Sequence, residues 1–296
     1  MTEPTFPGAV RPERNRSFLS RGLRLNAIEW GDPQRQPIVL AHGMWDHARG
    51  FAVLAPLLAE RFWVIALDAS GHGYSSWAAA YTWMTDVRDL VNVVLAIGRR
   101  VHLVGHSKGG GQVTSAARLA RERVRQVVNI DGFGPPPLSE DSWGTLPARF
   151  SDYLNNRRRA QQRPDWRPYP TLEALIERRR AQNPRLSRDW LRYFCFHGAR
   201  LADDGWRWMA DPHLADGFGP WRPDWIADEY AHLPVPMLAI VGSEPDTWGP
   251  LPETLLQQRL ARVRHLERRT VRGAGHFVHM EKPVETAQLV LDFLEA

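Results

Sequence analysis

The chain has 296 residues, 43% of them hydrophobic and 24% charged, the balance of a folded globular protein rather than a disordered or fibrous one. Its formal net charge is +5, carried almost wholly by arginine, since lysine occurs only at Lys108 and Lys282. The arginines are scattered or interleaved with acids and no nucleic-acid motif accompanies them, so the charge reads as solvated surface and no nucleic-acid partner is expected.

The first twenty residues hold Pro, Glu and Arg but no apolar run of signal-peptide length. No stretch reaches the apolar length of a membrane span. The single cysteine, Cys195, excludes an intrachain disulfide, and its aromatic neighbours mark it as a buried thiol. The expectation is a cytoplasmic protein, free to form a homo-oligomer.

In chain order, Ser17 to Ser20 and Leu23 to Trp30 read as an antiparallel pair, followed by a turn at Gly31-Asp32-Pro33. Pro37 to Ala41 is continuously apolar, as a strand covered on both faces must be. Phe62 to Leu67, Val101 to Val104, Val124 to Ile130, Met237 to Val241 and Val263 to Val271 repeat that signature. Helical periodicity lies between them at His47 to Glu60, Thr82 to Ile97, Gly109 to Arg121, Pro252 to Ala261 and Val284 to Glu295. This alternation predicts an α/β protein with a mainly parallel eight-stranded sheet and helices on both faces. It breaks off between Gly134 and Leu233, where Pro-, Trp- and Arg-rich sequence includes a helix over Leu172 to Ala181. Residues 1–134 and 233–296 therefore read as the core, and 135–232 as a mainly helical inserted cap.

Two loops carry the chemistry. Strand Val101 to Val104 runs into Gly105-His106-Ser107-Lys108-Gly109, a Gly-x-Ser-x-Gly turn that opens a helix. A sharp strand-to-helix turn needs small residues two before and two after the serine, and it lifts the hydroxyl beside helix amides that favour developing negative charge. Ser107 is the expected nucleophile. Earlier, Ile38 to Ala41 ends in His42-Gly43-Met44-Trp45, a tight turn able to supply an oxyanion donor, so the Met44 and Lys108 amides are assigned to that hole. His42 is expected to brace the loop. After the last strand, Gly275-His276-Phe277 presents a histidine in a small-residue loop, the expected general base; His279 is nearer the helix and reads as structural. His106 would point away from the serine, and His102 lies within a strand.

The acid that orients the base has three candidates. Asp246, after strand Met237 to Val241, is preferred because it gives the chain order Ser, Asp, His. Asp131, directly after strand Val124 to Ile130, and Glu244 remain open.

His42-Gly43, Asp68-Ala69-Ser70-Gly71-His72-Gly73-Tyr74-Ser75, Gly105-His106-Ser107-Lys108-Gly109-Gly110, Ile130-Asp131-Gly132-Phe133-Gly134-Pro135 and Gly275-His276-Phe277 together resemble the α/β-hydrolase superfamily, in its capped esterase, C–C hydrolase and serine-hydrolase-like branch. The resemblance implies a Ser-His-acid triad with no metal or organic cofactor. Two departures stand out: Lys108 follows the nucleophile where the family often has Met or Gln, and Pro245 holds the position of the usual acid, with Asp246 one residue late. Ser107 argues against the dehalogenase and epoxide hydrolase relatives, whose nucleophile is Asp.

The expected activity is cleavage of an ester or thioester of a hydrophobic small molecule through an acyl-enzyme. A C–C bond hydrolase or lyase using the same triad, and a non-catalytic ligand-binding protein on the same scaffold, are the alternatives. Trp143, Trp166, Trp190, Trp206, Trp208, Trp221 and Trp225 crowd the cap, either lining a cleft or filling the cap's own core. Arg157 to Arg159 and Arg178 to Arg180 read as solvated helix faces; if one faced the cleft, an anionic substrate would follow.

Overall fold

A computed structural model describes residues 2–136, 144–162, 165–217, 219, 221–249 and 251–296; Trp143 lies outside them. The strands are β1 (Arg14–Ser20), β2 (Leu23–Trp30), β3 (Pro37–Ala41), β4 (Trp63–Leu67), β5 (Val101–His106), β6 (Val124–Ile130), β7 (Ala199–Ala202), β8 (Gly205–Trp208), β9 (Met237–Gly242) and β10 (Leu266–Val271). The helices are α1 (Leu54–Ala59), α2 (Trp83–Ile97), α3 (Lys108–Leu119), α4 (Leu146–Gln161), α5 (Leu172–Arg180), α6 (Arg188–Gly198), α7 (Trp225–Ala231), α8 (Glu253–Leu260), α9 (Val278–Glu281) and α10 (Pro283–Glu295).

Eight strands form one sheet in the order β1-β2-β4-β3-β5-β6-β9-β10. The pairs β1–β2 and β2–β4 are antiparallel and the rest parallel, so the expected fold class is the observed one. Successive residues of a strand face opposite sides of the sheet. Val39 and Ala41 accordingly join one buried cluster with Leu103 and Val127, while Ile38 and Leu40 join the other with Val104, Val128 and Ile130. Both faces are dry, which is why these strands are uniformly apolar.

The helix ends follow local chemistry. Thr82 caps α2 reciprocally with Thr85: Thr82 Oγ1 accepts from the Thr85 amide at 3.1 Å and Thr85 Oγ1 from the Thr82 amide at 2.9 Å. The helix expected over His47 to Glu60 is instead a short 3-10 turn at Ala48–Phe51 followed by α1. At its start the Asp68 carboxylate accepts the Ala48 amide at 2.7 Å, a first-turn N–H that has no partner within the helix.

Between β6 and β9 the chain leaves the sheet. This insertion holds α4 to α7 and a hairpin, β7–β8, that the helical reading of the segment did not foresee. A third buried cluster ties it to the sheet layer, with Leu175, Trp190, Phe194 and Trp206 packing against Val53, Phe277 and Met280. Polar contacts hold the same seam: His47 Nε2 donates to the Phe194 carbonyl at 3.0 Å, and the Tyr81 hydroxyl to Asp211 at 2.6 Å.

Candidate active site

Parallel strands end at one edge of the sheet, so their following loops converge there. Ser107 follows β5, Asp131 follows β6, and His276 follows β10. In the β5–β6 register His106 faces Ile130, which sets Ser107 and Asp131 next to each other past the strand ends.

Ser107 has φ 53° and ψ −122°, a conformation an L-residue holds only when its surroundings impose it. The glycines around it explain how. A side chain at Gly105 would overlap the Gly109 carbonyl, and one at Gly109 would overlap the Ala41 carbonyl, so the turn packs backbone on backbone. A Cβ on Gly43 would stand 3.1 Å from Ser107 Cβ, so the His42-Gly43-Met44 turn runs directly beside the serine. His42 braces that turn, donating through Nδ1 to the Gly43 carbonyl at 2.7 Å and accepting at Nε2 from the Ala69 amide at 3.0 Å. Burial pushes its imidazole down to about 4, which keeps the ring neutral for this pairing.

His276 Nδ1 lies 2.6 Å from Asp131 Oδ2. A carboxylate only accepts, so Nδ1 carries the hydrogen and Nε2 is left with its lone pair. Both side chains are buried, each 7% exposed. The expectation that Asp246 would meet this ring is corrected: Asp246 Oδ2 accepts the backbone amide of His276 at 3.1 Å, and its Oδ1 accepts the Thr247 amide at 2.6 Å. The reason is the strand end. Asp131 is turned at φ 48° immediately after β6, whereas Asp246 comes four residues past the end of β9, beyond Pro245. Glu244 is held at the surface by the Ser243 hydroxyl at 2.9 Å.

Lys108 sits at the first position of α3 with its backbone amide in the unpaired first turn. Its ammonium pairs with the buried carboxylate of Asp86 on α2 at 2.6 Å, and Gln112 donates to the same oxygen at 3.2 Å. His106 points away from the serine, its Nε2 donating to the His276 carbonyl at 3.0 Å. Among the described residues, Asp46, His106 and His279 are the groups that could hold a metal ion, with donor atoms within 4.8 Å of one another and all three buried.

Ser107, Asp131 and His276 line a cavity of about 740 Å³, a volume suited to a small organic molecule. Trp83 and Trp221 stack in its wall, ring centroids 4.6 Å apart. The cap tryptophans divide between the two roles read from sequence. Trp190 and Trp206 fill the insertion's own core; Trp221 lines the cavity; Trp225 is exposed; Trp166 packs edge-on against Trp45. Sequence reasoning missed Trp45, Trp83 and Trp248 as lining residues, because nothing local marks them. It also placed Arg179 on a solvated face, whereas the side chain is 6% exposed and borders the cavity together with Asn183. The loop entering the insertion is pinned by Arg259 of α8, which donates to the Phe133, Gly134 and Pro135 carbonyls.

The sequence profile of the alpha/beta hydrolase family matches residues 38–289. A serine hydrolase-like protein of Danio rerio is 30% identical over 187 residues, which make up 62% of this chain and 57% of that protein. The chain thus spans little more than half of that relative's length. The 2-(acetamidomethylene)succinate hydrolase of Mesorhizobium japonicum is 26% identical over 94% of this chain and 96% of its own. Among solved structures, a thioesterase domain from the curacin biosynthetic pathway superposes with a TM-score of 0.82 at 21% identity, covering 94% of this chain and 99% of that domain. That likeness is one of fold.

Proposed function

This chain belongs to the alpha/beta hydrolase family, and we propose that it hydrolyses an ester or thioester of a small molecule through an acyl-enzyme on Ser107. The observation that carries the reading is the His276–Asp131 pair on the wall of the cavity that Ser107 also lines. His276 Nε2 takes the Ser107 proton as the hydroxyl oxygen attacks the substrate carbonyl. Asp131 holds the tautomer and stabilises the imidazolium that forms. The Met44 and Lys108 amides receive the oxyanion; the Lys108 turn is fixed by backbone-on-backbone packing and the Met44 turn by the His42 brace, so the donors need no reorganisation as charge develops. His276 returns the proton to the leaving group. Water, activated by the same nitrogen, then releases the acid and frees the serine.

The insertion spanning 135–232 serves as the lid over this site and the aromatic wall formed by Trp83 and Trp221 takes the apolar part of the substrate. The test is hydrolysis of p-nitrophenyl esters from acetate to octanoate by wild type and Ser107→Ala, with mass spectrometry after a fluorophosphonate. Turnover that vanishes in Ser107→Ala, with a phosphonate adduct on Ser107, supports the reading. A wild type that neither turns over an ester nor takes up the probe overturns it.

A further inference from the structure

Arg179 and Asn183 stand one helical turn apart at the end of α5, the Asn183 amide donating to the Arg179 carbonyl at 3.0 Å, so both side chains share a face. Both line the cavity that holds Ser107. Both are also unsatisfied. Arg179 is 6% exposed, and among the described residues its guanidinium has neither a hydrogen-bond acceptor nor an ion-pair partner; its Nε is fully buried without one. Asn183 is 2% exposed, and neither its Oδ1 nor its Nδ2 finds a partner. A buried arginine without an acceptor is costly, and burial does pull its pKa below the ordinary arginine value. The Asp46 carboxylate acts on it only at a distance and is itself pushed up to about 7 by burial. The guanidinium carbon lies over the Phe194 ring, 4.9 Å from its centroid, so the group has an apolar ring and no acceptor on that side.

We propose that Arg179 and Asn183 form a carboxylate subsite, so that the substrate is an ester or thioester bearing a second, ionised carboxyl group. A planar fork with one adjoining amide donor matches the two oxygens of a carboxylate. A phosphate dianion would call for a second cation, and among the described residues the other cation on the cavity wall, Lys108, is held by Asp86. The acids on that wall are engaged too: Asp131 by the His276 ring and Asp246 by backbone amides. The substrate carboxylate supplies the missing counter-charge. The subsite deepens the hydrolase reading above and rests on it for its kinetic test.

The experiment compares mono-p-nitrophenyl esters of the dicarboxylic acids from adipate to suberate with neutral p-nitrophenyl esters of equal chain length. The readout is the ratio of kcat/KM, acid to neutral, in wild type, Arg179→Gln, Arg179→Lys and Asn183→Ala. Loss of a charged hydrogen-bonding partner predicts that the ratio falls about 10- to 100-fold in Arg179→Gln, less in Arg179→Lys, and about three- to tenfold in Asn183→Ala. A ratio unchanged in all three overturns the subsite while leaving ester hydrolysis standing. A parallel titration of monomethyl adipate into Ser107→Ala, with and without Arg179→Gln, reads the subsite without turnover. Equal Kd values there overturn it even if the enzyme cleaves no ester, whereas a Kd weakened about tenfold or more in Arg179→Gln supports it.

Discussion

Asp131 Oδ2 lies 2.6 Å from the Nδ1 of His276, and Asp246, the acid in the more usual place along the chain, binds only that residue's backbone. The two carboxylates therefore divide one histidine between ring and main chain, and mutation separates their roles. Asp131→Asn places an amide where a carboxylate must accept, which disfavours the productive tautomer and withdraws the counter-charge. Its kcat/KM on an activated ester is expected to fall about 10³- to 10⁴-fold. Asp246→Asn keeps an amide oxygen for the His276 amide and is expected to cost less than about tenfold. Equal losses in the two variants would refute this division.

The Lys108–Asp86 pair sits behind the serine with side chains 5% and 2% exposed. Breaking such a pair leaves one charge in an apolar surrounding, so Lys108→Met should lose about 3–5 kcal/mol in guanidinium unfolding. Adding Asp86→Leu removes the stranded carboxylate. The double variant should regain most of that loss, and a double variant no more stable than the single one would show that the pair is not the source.

Five fully enclosed histidines set the acid limit of the fold. Burial lowers His42 to about 4 and His279 to about 3, and it holds His47, His72 and His106 well below the ordinary imidazole value. Each is neutral when folded and binds a proton once unfolded below about pH 6.5. The unfolded chain therefore takes up more protons, and stability must fall as pH drops from about 6.5 toward 4. Urea midpoints taken across that range should decline steeply; a flat profile would mean that the rings are reached by solvent.

Asp46 acts in the opposite sense. Burial is the largest cause of its rise to about 7, ahead of the lowering hydrogen bond from the His47 amide. The folded state keeps this proton up to about pH 7 while the unfolded chain releases it above about pH 4, so stability drains away between those values and the full penalty applies above 7. Asp46→Asn retains the amide contact without the charge. It should match wild type near pH 4 and exceed it at pH 8 by on the order of a few kcal/mol, measured by chemical denaturation at both values.

The strands of the sheet and the elbow at the nucleophile were legible because each is written locally. Uniformly apolar runs of five or six residues mean strands covered on both faces, and Gly105 and Gly109 bracket Ser107 within a single turn. Local signals also fail in places: the one helix expected over His47 to Glu60 is a 3-10 turn at Ala48–Phe51 followed by α1.

What the sequence by itself determined was the fold, the serine and the histidine as candidates, and a short list of acids. Which acid meets the imidazole was decided by tertiary structure, because Asp131 and Asp246 leave different strands and only the sheet edge fixes how far each reaches. The same holds for Arg179. Within Arg178-Arg179-Arg180 it looks like any solvated arginine, and only the docking of α5 over the cavity, with Phe194 beneath the guanidinium, buries one of the three and turns it toward the site. Periodicity reports a residue's place on its own element; the partner that element packs against is a property of the whole chain.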